Sequence, residues 1–166
     1  MTFEPVIATG NYAGIPRTYP GAVSISVSSP RWYGSPLKFK ALAPFGFMRD
    51  PLRSYLPKYE ALLAELDPRE VLSEIKQLVY DKARSMGFDD AAADQVTPVM
   101  LCYEKAGEFC HRRLVAEWIE RELEIQVPEV RFDQKAWKGL YQVDNPQPVH
   151  LTAKQPEPTE TQGALF

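Results

Sequence analysis

Between Cys102 and Arg113 the chain gathers more reactive side chains than anywhere else: Cys102, Glu104, Lys105, Glu108, Cys110, His111, Arg112 and Arg113. Each type brings a chemistry. A cysteine at a helix N-terminus or near positive charge is favoured as thiolate and becomes a nucleophile, and Cys110 stands where a helix is expected to begin. Glu104 and Glu108 can act as general acid or base, or pair with arginine. Two arginines at a helix start oppose the positive end of the helix dipole, a cost that a bound phosphate would offset. Arg112 is the candidate for that role; pairing with Glu104, Glu108 or Glu117 is the competing one. His111 falls at the same ligand site, but adjacent helical side chains diverge, so it is not the obvious base for Cys110. The phosphatase loop of Cys, five residues and Arg is absent, because position 116 is Ala. Packing of Cys102 and Cys110 as small hydrophobes stays open beside catalysis.

The elements that must position these residues can be read around them. Residues 99–103 are a short apolar run of the kind that forms a strand buried on both faces. Residues 104–109 are polar, with one glycine, and read as a turn. From Cys110 onward the period is helical and one face is apolar: Leu114 with Trp118, Val115 with Ile119, then Leu123. Strand, turn and helix make half of a βαβ unit, and in open α/β sheets ligands gather at the carboxyl ends of strands. Two earlier strands are expected at residues 4–9 and 22–27. The loop after the second carries Ser28, Arg31, Trp32 and Tyr33 to the same sheet edge, where Arg31 offers charge and Trp32 a flat surface for a base. Asn11 and Tyr12, after the first strand, reach it too. Covering the core is the competing role for these aromatics. Residues 37–56 read as irregular. Pro57 reads as the first residue of a helix with Tyr59, Leu62, Leu63 and Leu66 inward. Asp67-Pro68-Arg69-Glu70 starts a second helix, which runs through Val71, Ile75 and Val79 and stops at Gly87. Residues 127–130 read as an edge strand. The expected class is α/β: a small, mainly parallel sheet flanked by helices in a Rossmann-like three-layer arrangement.

Leu101-Cys102-Tyr103-Glu104-Lys105, a short spacer, and Cys110-His111-Arg112 with Leu114 and Ala116 resemble the signature of the domain-of-unknown-function 488 family. Ser24-Ile25-Ser26 with Pro30-Arg31-Trp32, and Leu42-Ala43-Pro44, are similar to further blocks of that family, so the resemblance spans residues 4 to 130. The family has no settled activity. The resemblance therefore implies a fold and a site, and no particular reaction.

At 166 residues the chain suits one domain, residues 1–143, and a tail, residues 144–166. Its 22 acids against 19 bases give a net charge of −3, so attraction to nucleic acid must come from a local basic surface. The start lacks the features of a signal peptide and no apolar run approaches membrane-spanning length, so a cytoplasmic protein with no membrane partner is expected. Two cysteines make no disulfide framework, and free thiols are expected. No cofactor is expected. Zinc held by Cys102, Cys110, His111 and His150 is set aside, because the spacing matches no standard finger or ribbon.

Four of the chain's 15 prolines fall at or after Pro146, in a stretch with no apolar period, so the tail reads as extended and disordered. It ends in Gln162-Gly163-Ala164-Leu165-Phe166. This pentapeptide is similar to the motif by which bacterial replication and repair proteins dock on the DNA sliding clamp: Gln, two spacers, Leu, Phe. Leu165 and Phe166 would fill an apolar pocket while Gln162 makes oriented hydrogen bonds. An incidental terminus, or a strand packed on the body, is the alternative. These features together lead to a protein of DNA or nucleotide metabolism, bacterial or phage, recruited by the sliding clamp. Its phosphate or nucleotide site lies at the start of the Cys110 helix. Cys110, Glu104 and Glu108 are the candidates for chemistry, and Arg112, His111, Arg31, Trp32, Ser28 and Tyr12 for binding DNA or a nucleotide. Two alternatives stand beside it: a non-catalytic, clamp-binding adaptor or inhibitor, and a redox-sensing protein with a Cys102–Cys110 disulfide.

Overall fold

The structure is a computed structural model and describes residues 4–104, 109–133 and 139–144. Four parallel strands form one sheet in the order β1-β4-β2-β3: β1 (Ala8–Asn11), β2 (Ala22–Ser24), β3 (Leu37–Lys38) and β4 (Val99–Cys102). The central strand β4 is buried at every position, as its unbroken apolar run requires. Its register sets Ala8 against Val99 on one side and Ala22 against Val99 on the other. The carboxyl ends of β1, β2 and β4 therefore reach one edge together.

The faces of this sheet are covered differently. Val23 and Met100 face a large core with Tyr55 and Tyr59 of α1 (Leu52–Ala64), Val71, Ile75 and Val79 of α2 (Pro68–Ser85), and Leu114 and Ile119 of α4 (His111–Leu123); the short α3 (Asp90–Asp94) stands in sequence between α2 and β4. Ala22, Val99 and Leu101 face a smaller core with Tyr12, Ile15, Tyr33 and Val130. A two-stranded antiparallel hairpin, β5 (Val130–Asp133) and β6 (Gly139–Gln142), closes that side with Phe132 and Leu140. Among the described residues no long helix contributes there. The fold is a mixed α/β protein with helices flanking a parallel sheet, and loops and a hairpin occupy the second face where a three-layer arrangement would place helices. The reason lies in the chain: β1 and β2 are joined by residues 12–21, too short and too rich in glycine and proline for a crossover helix.

Local sequence explains most of the helix ends. Asp67 caps α2 by accepting from the Arg69 amide at 2.9 Å, Pro68 fills the first helical position, and Gly87 (φ 98°) ends it. Val71, Ile75, Val79 and Ala83 form a buried stripe at i+4 spacing. The first helix departs from expectation. It begins at Leu52, with Pro57 inside it, because Pro51 rather than Pro57 stands extended at the N-cap and Lys58 reaches back to Asp50 at 2.6 Å. The stretch expected to be irregular also holds β3 and a 3-10 turn at Lys40–Leu42. The strand expected at residues 127–130 is β5, which begins at Val130 and pairs with β6, while Glu129 forms a single parallel bridge to Thr9 at the β1 edge.

The α4 helix is unlike the others. Every residue from His111 to Ile119 is buried, so it is covered on all sides rather than on one apolar face. Its polar side chains must then find partners inside the protein, since an unpaired buried charge is costly. It ends at Glu124 in the left-handed region (φ 56°), and the Val127 amide turns back to Glu120 Oε2 at 2.9 Å. That turn delivers Glu129 beside the start of the same helix.

Candidate functional site

A cavity of about 570 Å³ opens at the carboxyl edge of the sheet. Ser26 and Ser28 enter it from the chain following β2, and Cys102, Tyr103 and Glu104 from the end of β4. Phe109, Cys110 and His111 come from the start of α4, and the approach to α1 adds Met48, Arg49 and Tyr55. This is the crevice outside the strand ends where open α/β sheets place ligands. Cys110 is the extended N-cap of α4 (φ −152°, ψ 144°) and makes no side-chain cap bond, while its carbonyl accepts from the Arg113 amide at 3.1 Å.

Two expectations about the cysteines change here. The sulfurs of Cys102 and Cys110 are joined as a disulfide instead of standing as free thiols, because the end of β4 and the start of α4 converge. The Cα atoms are 7.2 Å apart, wider than the span of about 4.4–6.8 Å usual for a disulfide. The backbone thus brings two sulfurs to one point without the close approach a structural bridge normally has. His111 also behaves differently from a divergent neighbour. Cys110 lies just outside the helix, so helical spacing does not separate the two side chains, and Cys110 Sγ is 3.8 Å from His111 Nδ1. The other ring nitrogen, Nε2, lies 2.7 Å from the Ile25 carbonyl oxygen. A carbonyl can only accept, so Nε2 carries the hydrogen and Nδ1 turns a lone pair toward the sulfur. Burial pushes His111 down to about 4, the bond to Ile25 opposing this and the Arg112 charge adding to it. At neutral pH the imidazole is an uncharged acceptor.

The arginines are not where an anion site would have them. Arg112 is wholly buried and lies outside the cavity lining. Its Nη2 and Nε donate to Glu129 at 2.8 and 3.0 Å, and its Nη1 lies 3.2 Å from Cys102 Sγ. Arg113 Nη1 donates to Thr9 Oγ1 at 2.6 Å and to the Val127 carbonyl at 2.9 Å. The dipole cost of basic residues at this helix start is met by Glu129 in place of a phosphate, and neither Glu104 nor Glu117 is the carboxylate on Arg112. Arg112 therefore acts on the site only through the Cys102 sulfur, whose other polar neighbour is Glu104 Oε1 at 3.9 Å.

The remaining candidates divide. Ser28 lines the cavity, with its hydroxyl 3.3 Å from Tyr103 Oη. Tyr12 stands behind the wall. Its hydroxyl meets Ser24 Oγ at 2.6 Å and Ser26 Oγ at 2.5 Å, and its ring lies edge-on to Tyr33 and Tyr103. It positions Ser26 and is not itself in the lining. Arg31 and Trp32 sit on an exposed 3-10 turn outside the cavity, Trp32 being 63% exposed. Glu108, Lys105, His150, Gln162, Leu165 and Phe166 lie outside the described residues, as does the tail beyond 144.

Sequence reasoning missed Arg49, Tyr55 and Glu129. Arg49 and Tyr55 fall in a stretch with no period and no motif, and only the fold carries them to the cavity. Glu129 did leave a signal: a lone carboxylate between Val127 and Val130 needs a buried cation. One further pattern emerges with the fold. Residues 5–53 hold six basic side chains, Arg17, Arg31, Lys38, Lys40, Arg49 and Arg53, against one acid, Asp50. All six are exposed, and Arg49 makes no ion pair among the described residues. The net charge of −3 therefore conceals a basic segment, of which Arg49 lines the cavity. In comparisons with known proteins, no family model, curated protein or solved structure matches the chain.

Proposed function

We propose that this is a thiol-dependent protein of DNA or nucleotide metabolism, in which the cavity takes a phosphorylated, nucleotide-type ligand and Cys110 supplies the reactive sulfur. The observation that carries the reading is the convergence of Cys110, Cys102 and His111 on the wall of a cavity at the strand ends. Cys110 has the positive end of α4 beside it, which favours thiolate once the pair is reduced, and His111 Nδ1 is placed to accept from its S–H. Cys102 then serves as its resolving partner, with Arg112 balancing the charge on the sulfur it touches. Glu104 is the carboxylate within reach for proton transfer. Arg49 and the first amides of α4 supply the anion contacts that Arg112 cannot, and Arg31 and Trp32 serve a longer nucleic-acid partner outside the mouth. The resemblance to the domain-of-unknown-function 488 family fits a site at these residues. The terminal pentapeptide ending in Leu165 and Phe166 recruits the protein to a bacterial sliding clamp, which places the cavity near DNA.

The test is binding of a nucleoside triphosphate, and separately of inorganic phosphate, to the reduced, full-length protein by calorimetry in the presence of a chelator. The triphosphate should bind, and Arg49→Ala should weaken binding up to about fivefold, the effect of up to about 1 kcal/mol from one exposed ionic contact. No binding at millimolar ligand, or binding indifferent to Arg49, would overturn the reading. The redox alternative keeps one specific observation in its favour, the Cys102–Cys110 bond itself. It predicts a disulfide that forms and opens with no nucleotide dependence.

A further inference from the structure

We propose that, when the Cys102–Cys110 bond is opened, Cys102, Cys110 and His111 form a three-ligand site for a zinc-type divalent ion whose fourth position faces the cavity. The inference rests on the reading of these sulfurs as the reactive group. It goes beyond that reading in naming a cofactor, and it is tested without nucleotide.

Three observations carry it. One atom from each of the three residues lies within 4.8 Å of the others, and all three residues are buried. A tetrahedral zinc ion with bonds of about 2.3 Å to sulfur and about 2.0 Å to nitrogen holds its ligands roughly 3.5–3.8 Å apart. The Cys110 Sγ to His111 Nδ1 distance is already 3.8 Å, and the 7.2 Å Cα separation leaves room for the sulfurs to part. The imidazole is also oriented as a metal ligand needs. Its Nε2–H is fixed on the Ile25 carbonyl, which sets the tautomer and aims the Nδ1 lone pair at the sulfurs. Finally, charge balances. The Arg112–Glu129 pair is neutral in sum, and two thiolates with one divalent cation are neutral too, so the filled site buries no net charge.

Two thiolates, one neutral imidazole and an open position make a donor set found in catalytic zinc sites, where the fourth ligand is water or substrate. The linear spacing that argued against a zinc finger does not bear on such a site, because Cys110 and His111 converge only through the N-cap conformation. His150 is not needed. Glu104, 3.9 Å from Cys102 Sγ, is placed to hydrogen-bond a water in the fourth position.

The site is gated by the disulfide. A dithiol reductant transfers two electrons and two protons, breaks the Cys102–Cys110 bond and becomes a disulfide itself. Binding the ion then releases the two thiol protons to solvent. Oxidised protein cannot bind, because both sulfurs are spent on each other.

Cobalt(II) and zinc(II) are the probes. The full-length protein is reduced, freed of reductant and titrated with cobalt, following the thiolate-to-cobalt charge-transfer band and the visible bands of a tetrahedral ion; zinc stoichiometry is then measured by elemental analysis after gel filtration. Reduced protein should take one equivalent, and zinc should displace cobalt. Oxidised protein is the folded control and should take none. Cys102→Ser and Cys110→Ser should each weaken binding about a hundredfold or more. His111→Gln keeps a donor for the Ile25 carbonyl but loses the Nδ1 ligand, and should do the same while circular dichroism shows the fold retained. No cobalt spectrum in reduced protein, or unchanged binding in Cys102→Ser, overturns the inference. Metal binding without triphosphate binding removes only the nucleotide reading. Triphosphate binding in chelator without metal binding removes only this one.

Discussion

Removing Glu129 tests the role the fold gives to Arg112. The guanidinium is wholly buried, the carboxylate is 3% exposed, and three contacts of 2.8 to 3.2 Å join them. The same carboxylate accepts from Thr9 Oγ1 at 2.6 Å. Glu129→Ala leaves a buried positive charge beside Cys102 without its carboxylate partner. Breaking such a pair costs about 3–5 kcal/mol. For a domain of this size each kcal/mol moves the midpoint by about 2–4 °C, so Tm should fall by roughly 6–20 °C. The assay is urea unfolding paired with a thermal scan in fixed redox buffer. Arg112→Met combined with Glu129→Leu removes both charges and keeps similar volume, and should return to within about 2 kcal/mol of the parent. If Glu129→Ala costs less than about 1 kcal/mol, the guanidinium has another anion within reach, and the argument that Arg112 is a structural ion-pair partner fails.

Three further outcomes are expected. Purified bacterial sliding clamp should bind the full-length protein modestly, since ordering a Pro-rich tail opposes binding; it should bind neither a chain ending at Glu160 nor the Leu165→Ala, Phe166→Ala double variant, and equal behaviour of all three removes the clamp from the account. Gly21→Ala should destabilise by about 1–3 kcal/mol or more, because its Cβ would meet the Thr97 carbonyl oxygen at 2.2 Å, at the approach of β2 to β4; a neutral effect in urea unfolding would contradict that close packing. In metal-free protein, acid should weaken the fold through His111, which sits at about 4 when folded against an ordinary 6.5. The unfolded chain takes up this proton first, so the stability is complete above pH 6.5 and is lost as pH falls toward 4, by about 3 kcal/mol in all; His111→Gln should flatten that window of the unfolding profile.

What the chain discloses by itself follows from how local each signal is. The run 99–102, the period of the second helix and its Asp67-Pro68 start are set by neighbours in sequence, and they stand where the pattern puts them. Convergence of Cys110 and His111 with the strand ends also follows, because a strand, a turn and a helix in a parallel sheet have few ways to connect. The failures are non-local. Arg112 and Arg113 carry the same charge at adjacent positions whether they bind phosphate or Glu129 and Thr9; only the turn that follows α4 decides between these, and it is set by Glu124 and the return to Glu120. Nor does periodicity show that α4 is covered on every side. The register of Arg49 on the cavity depends on α1 starting at Leu52, which Pro57 conceals in the sequence.

The claim at the centre of the account is that Cys110 is the reactive group of a ligand cavity. Relative alkylation of Cys110 and Cys102 at neutral pH, in reduced and chelator-treated full-length protein, tests it most directly. Iodoacetamide is small enough for a thiol only 2% exposed, and mass mapping resolves the two sites. Cys110 has a helix N-terminus beside it, whereas at Cys102 the Arg112 guanidinium at 3.2 Å favours thiolate and Glu104 at 3.9 Å opposes it. The account predicts that Cys110 is modified first and that a nucleoside triphosphate slows its modification. Equal rates at the two sulfurs, unchanged by triphosphate, would contradict it.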